Sequence, residues 1–424
     1  MVAPPPHPPR QVTLLLCTRD GKLLGTLPPF EVEVPWWQEV GPIVDAVRET
    51  YALDVTVLRV LAAEPGATTI GGPVSYLAEL SGADSAPAAP LPLLVPPPSQ
   101  EVLAPQPLRQ TWAVPGGPAA DVAWADEILA VRGTPRTGPA RQRRTWNLSS
   151  LWRLPTAGGA AWLKVVPPFF GHEGAVLARL SQPGEPTATV VPPLLGFDGP
   201  RALMAEVPGE DGYFAGTPRL LEMVELLVSL QARWIGRSDE LLGLGAADFR
   251  APALVAMAAD AFERTADELD PPTRRTLAAA LHALPDRFAA VDACGVADTL
   301  VHGDFHPGNL VGGSAGAPLV LLDWGDCGVG HPLLDQAAFT ARLGADDLPV
   351  VTATWAGLWR AAAPGCEPER AAALLAPIAA LRQAAVYRMF LDGIEPDERT
   401  YHVSDPARWL VEAAKRFATT TARP

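Results

Sequence analysis

Apolar positions along the chain follow a two-residue period first and a helical period later, so the pattern predicts sheet-rich structure ahead of a mainly helical region. Gln11 to Cys17 is a short apolar run, Asp20-Gly21 carries hairpin turn chemistry, and Leu23 to Leu27 returns as a second strand. Val40 to Leu53 then places Val40, Ile43, Val44, Val47 and Tyr51 on one helical face. Val55 to Leu61 and Val74 to Leu80 resume strand character. Residues 84 to 108 are crowded with proline and small residues, which predicts an irregular loop.

Arg132 to Ala140, with Gly133, Pro135, Gly138 and Pro139, reads as a linker closing a first domain over residues 1–131. Beyond it, Leu151 to Leu154 and Ala161 to Val166 flank Thr156-Ala157-Gly158-Gly159 as a hairpin whose second strand carries Lys164. Ala202 to Val207 is strand-like and ends in Pro208-Gly209. Helical periods follow in Leu220, Leu221, Val224, Leu227, Val228 and Trp234, and again in Leu277, Leu281, Leu284 and Phe288. The second helix leads into the strand-like Thr299 to Val301, and the last ninety residues are mostly helical by pattern.

Composition narrows the function classes. The 424 residues, 48% of them hydrophobic, suffice for two or three cores. A net charge of -14 argues against a nucleic-acid-binding surface and suits a cationic partner. Cys17, Cys294, Cys327 and Cys366 show neither paired nor metal-ligand spacing, which fits a reducing cytoplasm. The proline-rich start lacks signal-peptide character, and no apolar run approaches the length of a membrane span. The expectation is a cytoplasmic protein with no membrane or nucleic-acid partner; a homodimer is compatible with it.

Chemistry concentrates in His302-Gly303-Asp304-Phe305-His306-Pro307-Gly308-Asn309 and in the apolar run Leu319 to Leu322 that ends in Asp323-Trp324. Phosphoryl transfer requires a carboxylate near the attacking hydroxyl, together with amide and carboxylate oxygens that hold magnesium against the nucleotide phosphates. Asp304, Asn309 and Asp323 supply that set. The spacing of His302 and His306 also fits zinc, yet no third nitrogen or sulfur ligand accompanies them. Both histidines read as braces of the loop through hydrogen bonds.

His-Gly-Asp in place of the protein-kinase His-Arg-Asp, the second histidine, and Asp-Trp-Gly-Asp at 323 to 326 together resemble the aminoglycoside phosphotransferase and choline kinase superfamily, over roughly residues 140 to 415. The resemblance implies an α+β, bilobal, protein-kinase-like fold: a small antiparallel-sheet N-lobe over 141–207 and a mainly helical C-lobe over 208–424. It implies ATP, or GTP in its place, with Mg2+ and a small-molecule hydroxyl acceptor. Asp304 would be catalytic and Asn309 and Asp323 would hold metal. Lys164 would contact phosphates with Glu173 as its helix partner, and Asp335 would brace the loop. No glycine-rich loop precedes Lys164. Thr145 to Ser150 stands where a phosphate-covering loop would lie, with Ser149 and Ser150 offering hydroxyls. Met204, Glu206 and Val207 fall where the inter-lobe hinge would meet adenine.

Residues 1–131, in the order strand, turn, strand, helix, strand, resemble a Nudix-type α+β fold. Its metal-binding glutamates are missing: Arg48-Glu49 is followed by Thr50, Tyr51, Ala52 and Leu53, so diphosphate hydrolysis is not expected. The expected function is therefore transfer of the γ-phosphate to a hydroxyl of an aminoglycoside, amino sugar, choline-like amine or other metabolite. The alternatives are a nucleotide-binding regulatory pseudokinase and, behind it, a Nudix-type hydrolase. Asp392, Glu395, Asp397 and Glu398 form an acidic run that can attract an amine, or be a solvated loop, the commoner case.

Overall fold

A computed structural model describes residues 7–63, 70–81, 100–313 and 318–421. The chain divides into two compact units, the first comprising residues up to Phe169 with Leu195–Glu206 and Phe390–Val403, the second holding the remainder.

The first unit contains two sheets. Strands β1 (Arg10–Cys17), β2 (Leu23–Thr26), β3 (Phe30–Val32), β4 (Val55–Ala63) and β5 (Gly72–Leu80) form a mixed sheet in the order β2-β1-β5-β4, with β3 on β1 and β1 parallel to β5. Its period-two pattern separates two cores. Val12, Leu14 and Leu16 face helix α1 (Gly41–Tyr51) through Ile43, Val44 and Val47, whereas Leu15 and Cys17 face Leu58, Leu77 and Leu103. Arg48 and Glu49 lie on the solvated face of α1, where Arg48 pairs with Asp45 and Asp54. Of the loop expected over 84–108, residues 84–99 lie outside the described residues, and Gln100–Leu103 is a short 3-10 turn.

Helix α2 (Gly117–Val131), not expected from the sequence, packs Ala125 and Leu129 on the second sheet. That sheet runs β6 (Arg141–Trp146), β7 (Ser149–Thr156), β8 (Gly159–Val165), β10 (Arg201–Ala205), β9 (Leu194–Asp198). Thr145–Ser150 is a tight hairpin, because β6 and β7 pair up to Trp146 and Ser149 and leave two turn residues. Gln142 joins the two sheets, its side-chain amide bonding both the N–H (2.9 Å) and the C=O (2.7 Å) of Val57. Arg132–Ala140 therefore runs within the first unit.

The second unit is mainly helical: α3 (Glu173–Leu180), α4 (Thr217–Arg233), α5 (Ser238–Gly243), α6 (Ala251–Thr265), α7 (Pro271–His282), α8 (Leu284–Asp292), α9 (Leu334–Thr340), α10 (Asp347–Ala362), most of α11 (Pro368–Gly393), and α12 (Asp405–Thr421). The helix expected through Leu277 and Phe288 is broken at Ala283, because Pro285 lacks the N–H a continuous helix needs. By length and composition α11 is apolar enough to cross a membrane, but 67% of its apolar window is buried within the protein. Small strands carry the loops of interest: β11 (Ala247–Asp248), β12 (Thr299–Val301) and β15 (Gly328–Gly330) form one sheet, and β13 (Leu310–Gly312) pairs with β14 (Leu319–Leu321). The α+β class, a small antiparallel sheet followed by a helical region, is the one expected.

Candidate active site

Strand β12 delivers His302–Asn309 and the β13–β14 pair returns the chain to Asp323, so two short ladders set the site. The loop is anchored from below. Asp335, buried at the start of α9, accepts the backbone N–H groups of His302 and Gly303, one on each carboxylate oxygen, both at 2.8 Å. Gln231 of α4 donates to the same carboxylate at 2.9 Å. Burial pushes the Asp335 carboxyl up to about 6, against the pull of those backbone N–H groups and of Arg382. Phe305 stacks on Phe339 with ring centres 5.0 Å apart and meets Trp355 edge-on, fixing the middle of the loop in the helical core.

The histidines hold the loop together. Nε2 of His302 donates to the carbonyl oxygen of Leu322 at 2.9 Å, which ties the loop to the residue before Asp323. Burial lowers the His302 pKa to about 4, so the ring is neutral at ordinary pH. Nδ1 of His306 accepts the Gly308 N–H at 3.0 Å, and its Nε2 lies 3.5 Å from Asp304 Oδ2.

Asn309 uses its side-chain N–H2 on Asp304, donating to the backbone oxygen at 2.9 Å and to Oδ2 at 3.2 Å. Its own backbone oxygen accepts the Leu322 N–H at 2.7 Å, so Asn309 and Asp323 emerge side by side at one end of the β13–β14 pair. Asp323 is exposed and has φ of +63°, a left-handed backbone rare outside glycine, of the kind that gathers at functional sites. Next to it, the Trp324 N–H donates to Oε1 of the buried Glu173 at 3.0 Å. Asp304, Asn309 and Asp323 thus present hard oxygen donors of the type magnesium takes.

The family model that matches the chain, described as the phosphotransferase enzyme family, covers residues 147–374, just over half of it. The chain belongs to the phosphotransferase enzyme family. Among solved structures, the phosphotransferase is similar to the macrolide 2'-phosphotransferase of Brachybacterium faecium, at 18% identity and a TM-score of 0.49 over 66% of this chain and 97% of that one. It is also similar to a choline/ethanolamine kinase family protein of Mesorhizobium loti, at 17% identity and a TM-score of 0.48 over 70% and 98%. A spectinomycin phosphotransferase solved with ADP and spectinomycin gives 11% and 0.42 over 70% and 98%. No curated protein matches the chain significantly.

Of the remaining residues singled out in sequence, Glu173 and Val207 belong to the second unit and Lys164, Ser149, Ser150, Met204 and Glu206 to the first. Ala202 pairs with Lys164 and Met204 with Trp162, so these four side chains share one face of the sheet. The Glu206 carboxylate takes Arg153 at 2.7 Å, and this bond, with a smaller contribution from the Trp162 indole, holds the Glu206 carboxyl below its usual range. Ser149 and Ser150 are buried, and their hydroxyl oxygens accept the indole N–H groups of Trp146 and Trp152, both at 3.0 Å.

Two members of the acidic run near the C-terminus do not lie in a solvated loop. Glu395 is buried and takes Arg109 at 2.8 Å and Arg59 at 3.4 Å, and buried Glu398 belongs to the same cluster. The sequence also gave no notice of Arg382 and Trp162. The first lies in an apolar helix pattern, and the second was legible only as the residue two before Lys164 on an alternating strand.

Proposed function

We propose that the phosphotransferase moves the γ-phosphoryl group of ATP, with magnesium, to a hydroxyl of a small molecule. Asp304 accepts the hydrogen bond of the acceptor hydroxyl and takes its proton as the acceptor oxygen bonds to phosphorus and the bond to the β-phosphate oxygen breaks, releasing ADP. Asn309, through its amide oxygen, and Asp323 would hold magnesium, which would supply positive charge to offset that of the phosphates. His302, His306 and Asp335 keep the loop in one conformation, so positioning rather than proton removal carries most of the rate. Lys164 would meet the nucleotide phosphates.

Trp162 and Met204 share the strand face of Lys164 and give the base an aromatic surface, with the backbone of Glu206 and Val207 reading its edge. The observation that supports this reading is the Asn309 side chain: its N–H2 is spent on Asp304, which leaves its amide oxygen for a metal, and its backbone oxygen accepts the N–H of Leu322, the residue before Asp323.

The test is magnesium-dependent transfer of labelled phosphate from ATP across aminoglycosides, amino sugars, choline-like amines and simple sugars, beside Asp304→Asn and Asp323→Ala. Turnover on one acceptor class that both substitutions abolish supports the reading. Tight nucleotide binding with no transfer to any acceptor would favour a regulatory pseudokinase instead.

A further inference from the structure

We propose that Arg382 of α11 is a positioning residue for phosphoryl transfer, its guanidinium locking the loop of Asp304 to the loop that follows Asp323. The inference rests on the roles proposed above for those two aspartates. Arg382 is 4% exposed, and it donates from Nη1 to the carbonyl oxygen of Gly303 at 3.0 Å and from Nη2 to that of Asp326 at 3.3 Å. Gly303 immediately precedes Asp304, and Asp326 follows Asp323 by three residues. One rigid, planar group therefore spans both loops. The Phe249 ring lies beneath it, 4.0 Å from the guanidinium carbon.

Gly303 is the seat for this group. Its φ of +86° favours glycine, and a Cβ there would collide with the Asp326 carbonyl and come within 2.6 Å of Arg382. The His-Gly-Asp sequence thus has a steric reason: the space a side chain would need at position 303 is filled by a guanidinium delivered from about eighty residues downstream.

A purely structural role is the weaker account. An arginine keeps its charge, and a buried charge is costly without partners. The carboxylates of Asp326, Asp335 and Asp304 offset only part of that cost, against the dominant effect of burial, and among the described residues the Arg382 Nε has no acceptor. Packing alone would be served better by leucine or methionine. What the guanidinium supplies and they would not is a fixed spacing between two loop carbonyls.

The experiment compares wild type with Arg382→Lys, Arg382→Gln and the milder Phe249→Leu, following steady-state kinetics with magnesium varied and hydrogen exchange of residues 299–309 and 323–330. Arg382→Lys keeps the charge but loses the fork. The expected result is a fall in kcat of about tenfold to a hundredfold, with acceptor KM unchanged, a higher magnesium requirement and faster exchange in both loops. Phe249→Leu should move the same quantities less, and carries the test if the arginine variants do not fold. Wild-type kcat in Arg382→Lys, or a loss that only tracks the fraction unfolded, would overturn the proposal. If wild type transfers no phosphate, the function proposed above fails instead, and unchanged exchange of the two loops in Arg382→Lys still refutes the bridge.

Discussion

Asp335 holds the backbone of Gly303 directly, its Oδ1 accepting the Gly303 N–H at 2.8 Å while Oδ2 takes that of His302. A carboxylate suits this place because both oxygens face donors. Asp335→Asn keeps the shape but turns an N–H2 toward one of those backbone N–H groups, leaving a buried donor unmatched. The expected loss is about 1–3 kcal/mol, read as a lower urea midpoint with unchanged slope, together with reduced turnover because Asp304 is no longer held.

Strain at Asp323 predicts opposite effects on stability and activity. Its φ of +63° costs an ordinary residue about 1–2 kcal/mol, a penalty that Asp323→Gly removes and Asp323→Ala keeps. Both variants should lose phosphate transfer. Thermal unfolding should nevertheless rank the glycine variant above the alanine variant by about 1 kcal/mol; equal midpoints would mean that the backbone there carries no strain.

Glu395 is bidentate to Arg109 across 286 residues of sequence, within the first unit. Removing one partner of a buried ion pair leaves a buried charge uncompensated and costs about 3–5 kcal/mol. Glu395→Gln should therefore lower the unfolding midpoint strongly while leaving the acceptor KM unchanged in the folded protein. A raised KM for amine-bearing acceptors at normal stability would return Glu395 to acceptor binding.

What could be read in the sequence follows the range of the interactions. Asn309 reaches Asp304 across a five-residue spacing, and one short strand pair brings the residue before Asp323 back to the Asn309 backbone, so the interactions seen there are local ones. The first sheet was legible for the same reason, since Val12, Leu14 and Leu16 alternate with Gln11, Thr13 and Leu15. Helix α2 was not, because Pro118 to Val131 is apolar on most sides and offers no stripe. The burial of Glu395 and Glu398 could not be foreseen: Arg59 and Arg109 reach them only through the tertiary fold, and an acidic run shows its charge but not its partners. Arg382 was hidden likewise, a cation in an apolar helix whose two acceptors are backbone oxygens that carry no sequence signature.

Glu398 sets a pH dependence with a definite sign. Burial, with Glu395 nearby, pushes its carboxyl from the ordinary 4.5 up to about 8, against the opposing pull of Arg59, the Val60 N–H and Arg109. The folded protein therefore holds this proton where the unfolded chain has released it. Between about pH 4.5 and pH 8 the native state binds more protons than the unfolded state, so this group makes stability fall as pH rises through that window and adds no further slope above it. Glu398→Gln has the same shape, cannot ionise, and keeps an oxygen to accept the Val60 N–H. Its unfolding free energy relative to wild type should rise steadily from pH 5 to pH 8 and then level off, measured by urea titration in buffers of constant ionic strength. A constant difference across that range would mean that Glu398 titrates alike in both states.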